Sequence, residues 1–165
     1  MILKEKIKSN LKGFLKEKKE IEVSVLRMLQ AAIINKEKEK RNKLAKQKAD
    51  LKEEDLIKES QLTDEEVVEA VSSEMKKRKE ASVEFKKGGR EDLSRKEDAE
   101  AEVLKKYLPE QLSEDEIKSL IKEAIAQVGA SSLQDMGKVM GKISSQIKGK
   151  ADGGEVSRMV KELLS

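Results

Sequence analysis

Between Ile21 and Ile34 the chain reads IEVSVLRMLQAAII, in which Ile21, Val23, Val25, Leu26, Met28, Leu29, Ala31, Ala32, Ile33 and Ile34 are apolar. Wound as a helix, this stretch is greasy around most of its circumference, so it must sit between partners. It forms the centre of the N-terminal half, and the neighbouring segments have to cover it. Upstream, Leu3, Ile7, Leu11, Phe14 and Leu15 follow the helical period and predict an amphipathic helix over residues 2–18. Gly13 is a weak point inside that helix.

The cover cannot come from rings. Phe14, Phe85 and Tyr107 are the only aromatics, and 42% of the residues are charged, against about 25% in ordinary domains. The core is therefore thin and made of Leu, Ile, Val, Ala and Met. Long helices with wide solvated faces satisfy that balance better than a sheet or barrel, so the expected fold is all-α.

Cysteine and histidine are both absent, which removes disulfides and the usual zinc sites, and no metal or cofactor is expected. The apolar run near the start is short and interrupted by lysines, unlike a signal peptide or a membrane span. The expectation is a soluble cytoplasmic protein with no membrane partner.

From Asn35 to Lys48 lysine dominates and apolar residues almost vanish. Such a stretch is a solvated helical extension or a mobile basic arm, the solvated face being the ordinary case. Residues 49–62 read as a loop with weak helical tendency. Thr63 with Glu66 makes a capping box, opening a helix that Gly88-Gly89 ends. A further helix over residues 90–107 is linked through those glycines, which predicts an antiparallel helical hairpin. Pro109 stops it, and Ser113 with Glu116 opens the next helix. The predicted domains are thus 1–108, a helical hairpin domain, and 109–165, a bundle of three short helices.

The second of those three carries the most distinctive pattern. Met136, Val139, Met140, Ile143 and Ile147 mark an apolar face, and beside it Gly137, Gly141 and Ser145 recur four apart. An interior glycine costs a helix roughly 0.5–1 kcal/mol against alanine. Another surface close to the backbone, a packed helix or a ligand, would explain both; a helix crossing is the commoner cause. Ser131 or Ser132 supplies the expected cap.

Charge is uneven. Residues 1–62 hold 17 Lys+Arg against 11 Asp+Glu, a net +6, whereas 63–108 carry −2 and 109–165 carry −1. Yet Met136 to Lys161 has six basic residues against Asp152 and Glu155. Lys138, Lys142, Lys148, Lys150 and Arg158 could grip phosphates in a salt-dependent, sequence-independent way. Gly137, Gly141, Gly149 and Gly153 would let backbone come close. The ordinary alternative is a solvated face. With no ring in this region there is no stacking platform, which favours recognition of folded RNA by shape.

Catalysis finds no support in the residues. GKVMGK lacks the spacing of a phosphate loop, has Ile143 where Ser or Thr must hold magnesium, and lies in a helical pattern. No His or Cys accompanies the serine pairs, and the carboxylates alternate with lysines on solvated faces.

Taken in order, SVLRMLQAAIINKE (24–37), LTDEEV (62–67), KKRKEASVEFKKGGREDL (76–93), KYLPEQLSEDEI (106–117) and DMGKVMGKI with KGKADGGEVSRMVKELL resemble the YqeY-like family. The resemblance spans nearly the whole chain, and the combined order is specific where each motif alone is not. It implies a helical N-terminal half and a C-terminal three-helix bundle similar to the tail of GatB, the B subunit of tRNA-dependent Asp/Glu amidotransferase. In that enzyme the tail contacts tRNA while kinase and amidase chemistry lie elsewhere. The expectation it supports is a non-catalytic tRNA-interacting module. Two alternatives stand beside it. One is an accessory component of an amidotransferase, a carbon–nitrogen ligase with glutamine as amido-N-donor, or of other translation-related proteins. The other is a protein-interaction module.

Overall fold

A computed structural model describes residues 2–165, and among them only helices, turns and loops occur. The chain divides into two compact units, Met1–Tyr107 and Leu108–Ser165. In the first, α1 (Ile2–Lys16) and α2 (Glu20–Gln47) are followed by a short α3 (Glu53–Glu59), α4 (Asp64–Lys87) and α5 (Glu91–Lys105). The greasy stretch lies in the first half of α2, where Val25, Leu26, Leu29 and Ile33 are buried. Helices α1, α4 and α5 all pack on α2, and α4 with α5 forms the hairpin.

The lysine-rich stretch is a helical extension: α2 continues unbroken to Gln47. Apolar burial does not hold it; ion pairs do. Lys40 donates to both carboxylate oxygens of Glu66 at 2.8 Å, and Glu37 pairs with Lys4 while accepting from the Leu62 amide. The stretch after it contains α3, although no α3 residue is buried.

Local signals set most boundaries. The Thr63 hydroxyl accepts from the Glu66 amide at 3.2 Å and the Glu66 carboxylate accepts from the Thr63 amide at 2.7 Å, closing the capping box of α4. Next to it, the Asp64 carboxylate accepts from the Ile2 and Leu3 amides, so one acidic residue caps α1 across 61 and 62 residues of sequence. At the other end of α4, Gly89 takes the left-handed conformation (φ 71°) that the tight link to α5 requires.

Two polar fixings lie inside the first unit. Ser82 and Ser94, both buried, share a 2.9 Å hydrogen bond between α4 and α5. Arg78 on α4 reaches Glu97 at 3.2 Å and Glu100 at 3.4 Å on α5, and the Met28 sulfur on α2 at 3.1 Å. Glu100 is 3% exposed, and its Oε2 has no hydrogen bond. Among the described residues its ion-pair partner is the Arg78 guanidinium, which it shares with Glu97.

The second unit comprises α6 (Glu114–Val128), a 3-10 turn (Leu133–Asp135), α7 (Met136–Ile147) and α8 (Gly153–Leu164). Ser113 and Glu116 form the capping box of α6, which Gly129 ends at φ 64°. The three helices share one aliphatic core around Ile121, Val139, Ile143, Val156 and Val160.

Two expectations follow. Arg78→Ala strands the Glu100 carboxylate and should lower unfolding free energy by about 3 kcal/mol, with Glu100→Gln costing less, both read by urea denaturation. Hydrogen bonding from Lys40, then from Thr63, holds the Glu66 carboxyl below its usual range, and Ser113 does the same for Glu116. Depressed carboxyls stabilise the fold above the ordinary carboxylate range and lose that contribution as pH falls through their folded values. No histidine titrates in between, so the denaturation midpoint should be level from about pH 8 to 5 and fall below about 4.5. Glu66→Gln should make that fall shallower.

Candidate nucleic-acid interface

Helix α7 turns Val139, Ile143 and Ile147 into the core at 0, 1 and 7% exposure. At 100° per residue, Gly141 and Ser145 fall on the opposite side, with Gly137, Lys138 and Lys142 flanking them. All five are exposed. A Cβ placed on Gly137 or Gly141 would meet no heavy atom within 4 Å. The stripe is therefore bare backbone facing outward, and the helix crossing that such glycines usually serve is not made here. The Gly141 carbonyl accepts from the Ser144 hydroxyl at 3.0 Å.

The start of α7 differs from the simple serine cap. A 3-10 turn intervenes, and Asp135 gathers the segment: its carboxylate accepts from the Ser131 amide at 3.2 Å and from Lys138 Nζ at 2.8 Å. Lys138, as first cause, holds the Asp135 carboxyl below its usual range, and Asp135 in turn raises Lys138. Lys138 is firmly protonated, but a carboxylate stands beside its charge. Among the described residues Lys142, Lys150 and Arg158 make no ion pair.

The loop from α7 to α8 is held in place. Gly149 has φ 73°, a conformation that glycine adopts at no steric cost. Its carbonyl accepts from the Gln111 side chain at 2.8 Å, and the Lys150 carbonyl accepts from the Leu112 amide at 2.9 Å. Backbone geometry thus accounts for Gly149. Gly153 opens α8, capped by Asp152, whose carboxylate accepts from the Glu155 amide at 2.9 Å, and a Cβ on Gly153 would also meet open space.

The residues singled out from sequence therefore fall into three places. Gly137, Lys138, Gly141 and Lys142 share the outward side of α7. Lys148, Gly149 and Lys150 lie in the loop, and Gly153 starts the next helix. Arg158 is exposed on α8, on the side away from Val156, Met159 and Val160. Since α7 and α8 both turn inward to one core, their outer sides diverge, and Arg158 is not part of the α7 face. Sequence reasoning missed Asp135; its position three residues before Lys138, at a helix start, was the available signal. Among the described residues no cluster of acidic side chains could hold a metal, and no helix is long and apolar enough to cross a membrane.

A sequence model of the family described as Yqey-like protein matches residues 31–164. A curated relative from Pyrenophora tritici-repentis (strain Pt-1C-BFP), altered inheritance of mitochondria protein 41, mitochondrial, is 29% identical over 162 residues, covering 96% of this chain and 79% of the relative.

The glycines separate by experiment. Gly141→Ala fills open space in an exposed helix interior and should stabilise the protein by roughly 0.5–1 kcal/mol. Gly149→Ala forces a side chain into the left-handed region and should destabilise it by about 1 kcal/mol. Thermal unfolding of the two variants reads the opposite signs.

Proposed function

From a chain that belongs to the YqeY-like family, we propose a non-catalytic helical module that contacts tRNA, with the outward side of α7 as the contact surface. One observation carries the reading: two exposed glycines a turn apart leave backbone uncovered beside Lys142, which makes no ion pair among the described residues. Alanine at Gly141 would strengthen the helix, so a bare backbone is held there at a cost in stability. A rod-like anionic surface is a partner that profits from it, because phosphates and ribose hydroxyls can settle against the uncovered backbone while lysines displace counterions.

Lys142 is the principal phosphate contact, Lys138 a weaker one because Asp135 competes for it. Lys148 and Lys150 on the pinned loop reach further phosphates, and Arg158 serves a separate stretch of backbone. The second unit contains no aromatic ring, so the grip rests on shape and charge and carries little sequence preference. This role belongs in a compartment that holds tRNA, the cytoplasm or a mitochondrial matrix; the word mitochondrial in the relative's name supports the latter.

Titration of labelled tRNA between about 50 and 200 mM salt tests the reading. Affinity should fall linearly on logarithmic axes, and Lys142→Gln should reduce the slope by about one. Gly141→Leu, which covers the backbone without touching the core, should weaken binding by about tenfold or more. A dissociation constant indifferent to salt, or no binding at the lowest salt, contradicts the proposal. Faster amidation of misacylated tRNA by an amidotransferase on adding the protein would favour the accessory role instead.

A further inference from the structure

The first unit carries a surface that tRNA contact leaves unused. Along the seam of α1 and α2 a cleft of about 210 Å³ opens, lined by Lys4, Ile7, Lys8, Gln30, Ile33 and Ile34. Ile7 and Ile33 form its floor, 1 and 2% exposed, while Ile34 stands on the lip at 47%. Helical geometry carries the strip onward in both helices. Leu15 lies two turns beyond Lys8 on the same edge of α1, and Arg27 two turns before Ile34 on the same edge of α2. Leu15 is 46% exposed. The cleft thus has an aliphatic floor with Ile34 unburied on its lip, and a second unburied aliphatic, Leu15, stands further along α1.

Size and charge narrow what fits. Small-molecule sites run to about 300–1,000 Å³, so this cleft suits one or two aliphatic side chains better than a cofactor. Its rim is cationic: α1 holds Lys4, Lys6, Lys8, Lys12 and Lys16 against the single acidic residue Glu5, and Glu5 lies round the helix from Ile7. Glu37, which pairs with the cleft's Lys4, also accepts from the Leu62 amide. Lys8, Lys12 and Arg27 make no ion pair among the described residues. A polyanion would satisfy the lysines but leave the aliphatic floor wet. A helix with both an apolar face and carboxylates satisfies the two together.

We propose that the α1–α2 cleft docks an acidic amphipathic helix of a partner protein, seating an aliphatic anchor on Ile7 and Ile33 with flanking carboxylates on Lys8 and Arg27. The anchor and the charges do different work. Burying the aliphatic side chain in the cleft supplies the central, desolvated contact, and the rim pairs select an acidic over a basic helix.

The test is methyl NMR of the full chain, titrated with a synthetic helical peptide bearing leucines on one face and glutamates beside them. The Ile7, Ile33 and Ile34 methyl signals should shift saturably, and Lys8→Glu should weaken binding by about tenfold. A second peptide with lysines in place of the glutamates should bind the Lys8→Glu protein better than the unaltered one. Four outcomes overturn the proposal. In one the acidic peptide leaves those methyls unmoved at millimolar concentration; in another the lysine peptide shifts them equally in the unaltered protein. In the third the methyls shift on changing protein concentration alone, which assigns the cleft to a second copy. In the fourth they answer phosphatidylserine vesicles or tRNA while ignoring the peptide.

Discussion

Taking narrow aliphatic stripes out of water is what every other feature of this protein rests on. Each buried Leu, Ile or Val contributes about 1.5–3 kcal/mol, and with so few rings the chain needs many of them, spread along helices that are polar over the rest of their surface. The centre of α2 must be covered by α1, α4 and α5, and the second unit must close three short helices on a core from Ile117 to Val160. Thin cores of this kind leave registration to polar devices. Hence the capping boxes at Thr63 and Ser113, the long-range cap from Asp64 to α1, the Ser82–Ser94 bond and the Arg78 bridge to two glutamates.

The same economy governs what lies outside the cores. A helix with a narrow buried stripe has most of its circumference free, and what occupies that circumference is open to selection for something other than folding. On α7 it holds glycine, serine and lysine. On the α1–α2 seam it holds isoleucine, leucine and lysine. The first combination lowers helix stability and brings backbone to the surface; the second leaves apolar area in water. Both are disfavoured locally, and the partners of negative charge proposed for them, one a nucleic acid backbone and the other a helix, would account for both.

Much of this was legible in the sequence because it is local. A capping box is two residues three apart, a glycine stop is one position, and an apolar stripe is a period. These placed the helices of the second unit and the hairpin of α4 and α5, and the ordered motifs pointed to the family whose model matches residues 31–164. What stayed hidden depends on partners distant in sequence. The α2 extension past Asn35 is held by Glu66 on α4 and by Lys4 on α1, and α3 has no buried residue to announce it. Asp135, rather than Ser131 or Ser132, stands at the start of α7, its carboxylate tying the Ser131 amide to the Lys138 side chain without capping a helix amide. The glycine stripe could be read as a row, but period alone does not say whether a row is packed or bare. Gly149, expected from the sequence to let a phosphate come close, also holds a backbone position at φ 73° that the sequence does not announce.

The central claim is that the uncovered backbone of α7 is the surface nucleic acid meets. Amide NMR of the protein with unmodified tRNA addresses it directly, since glycine amides are few and resolve from the rest. The signals of Gly137, Gly141 and Ser145 should shift or broaden as tRNA is added, with Gly13 and Gly88 in the other unit unaffected. If tRNA binds while those three signals keep their positions and widths, the contact lies elsewhere and the account of α7 is wrong.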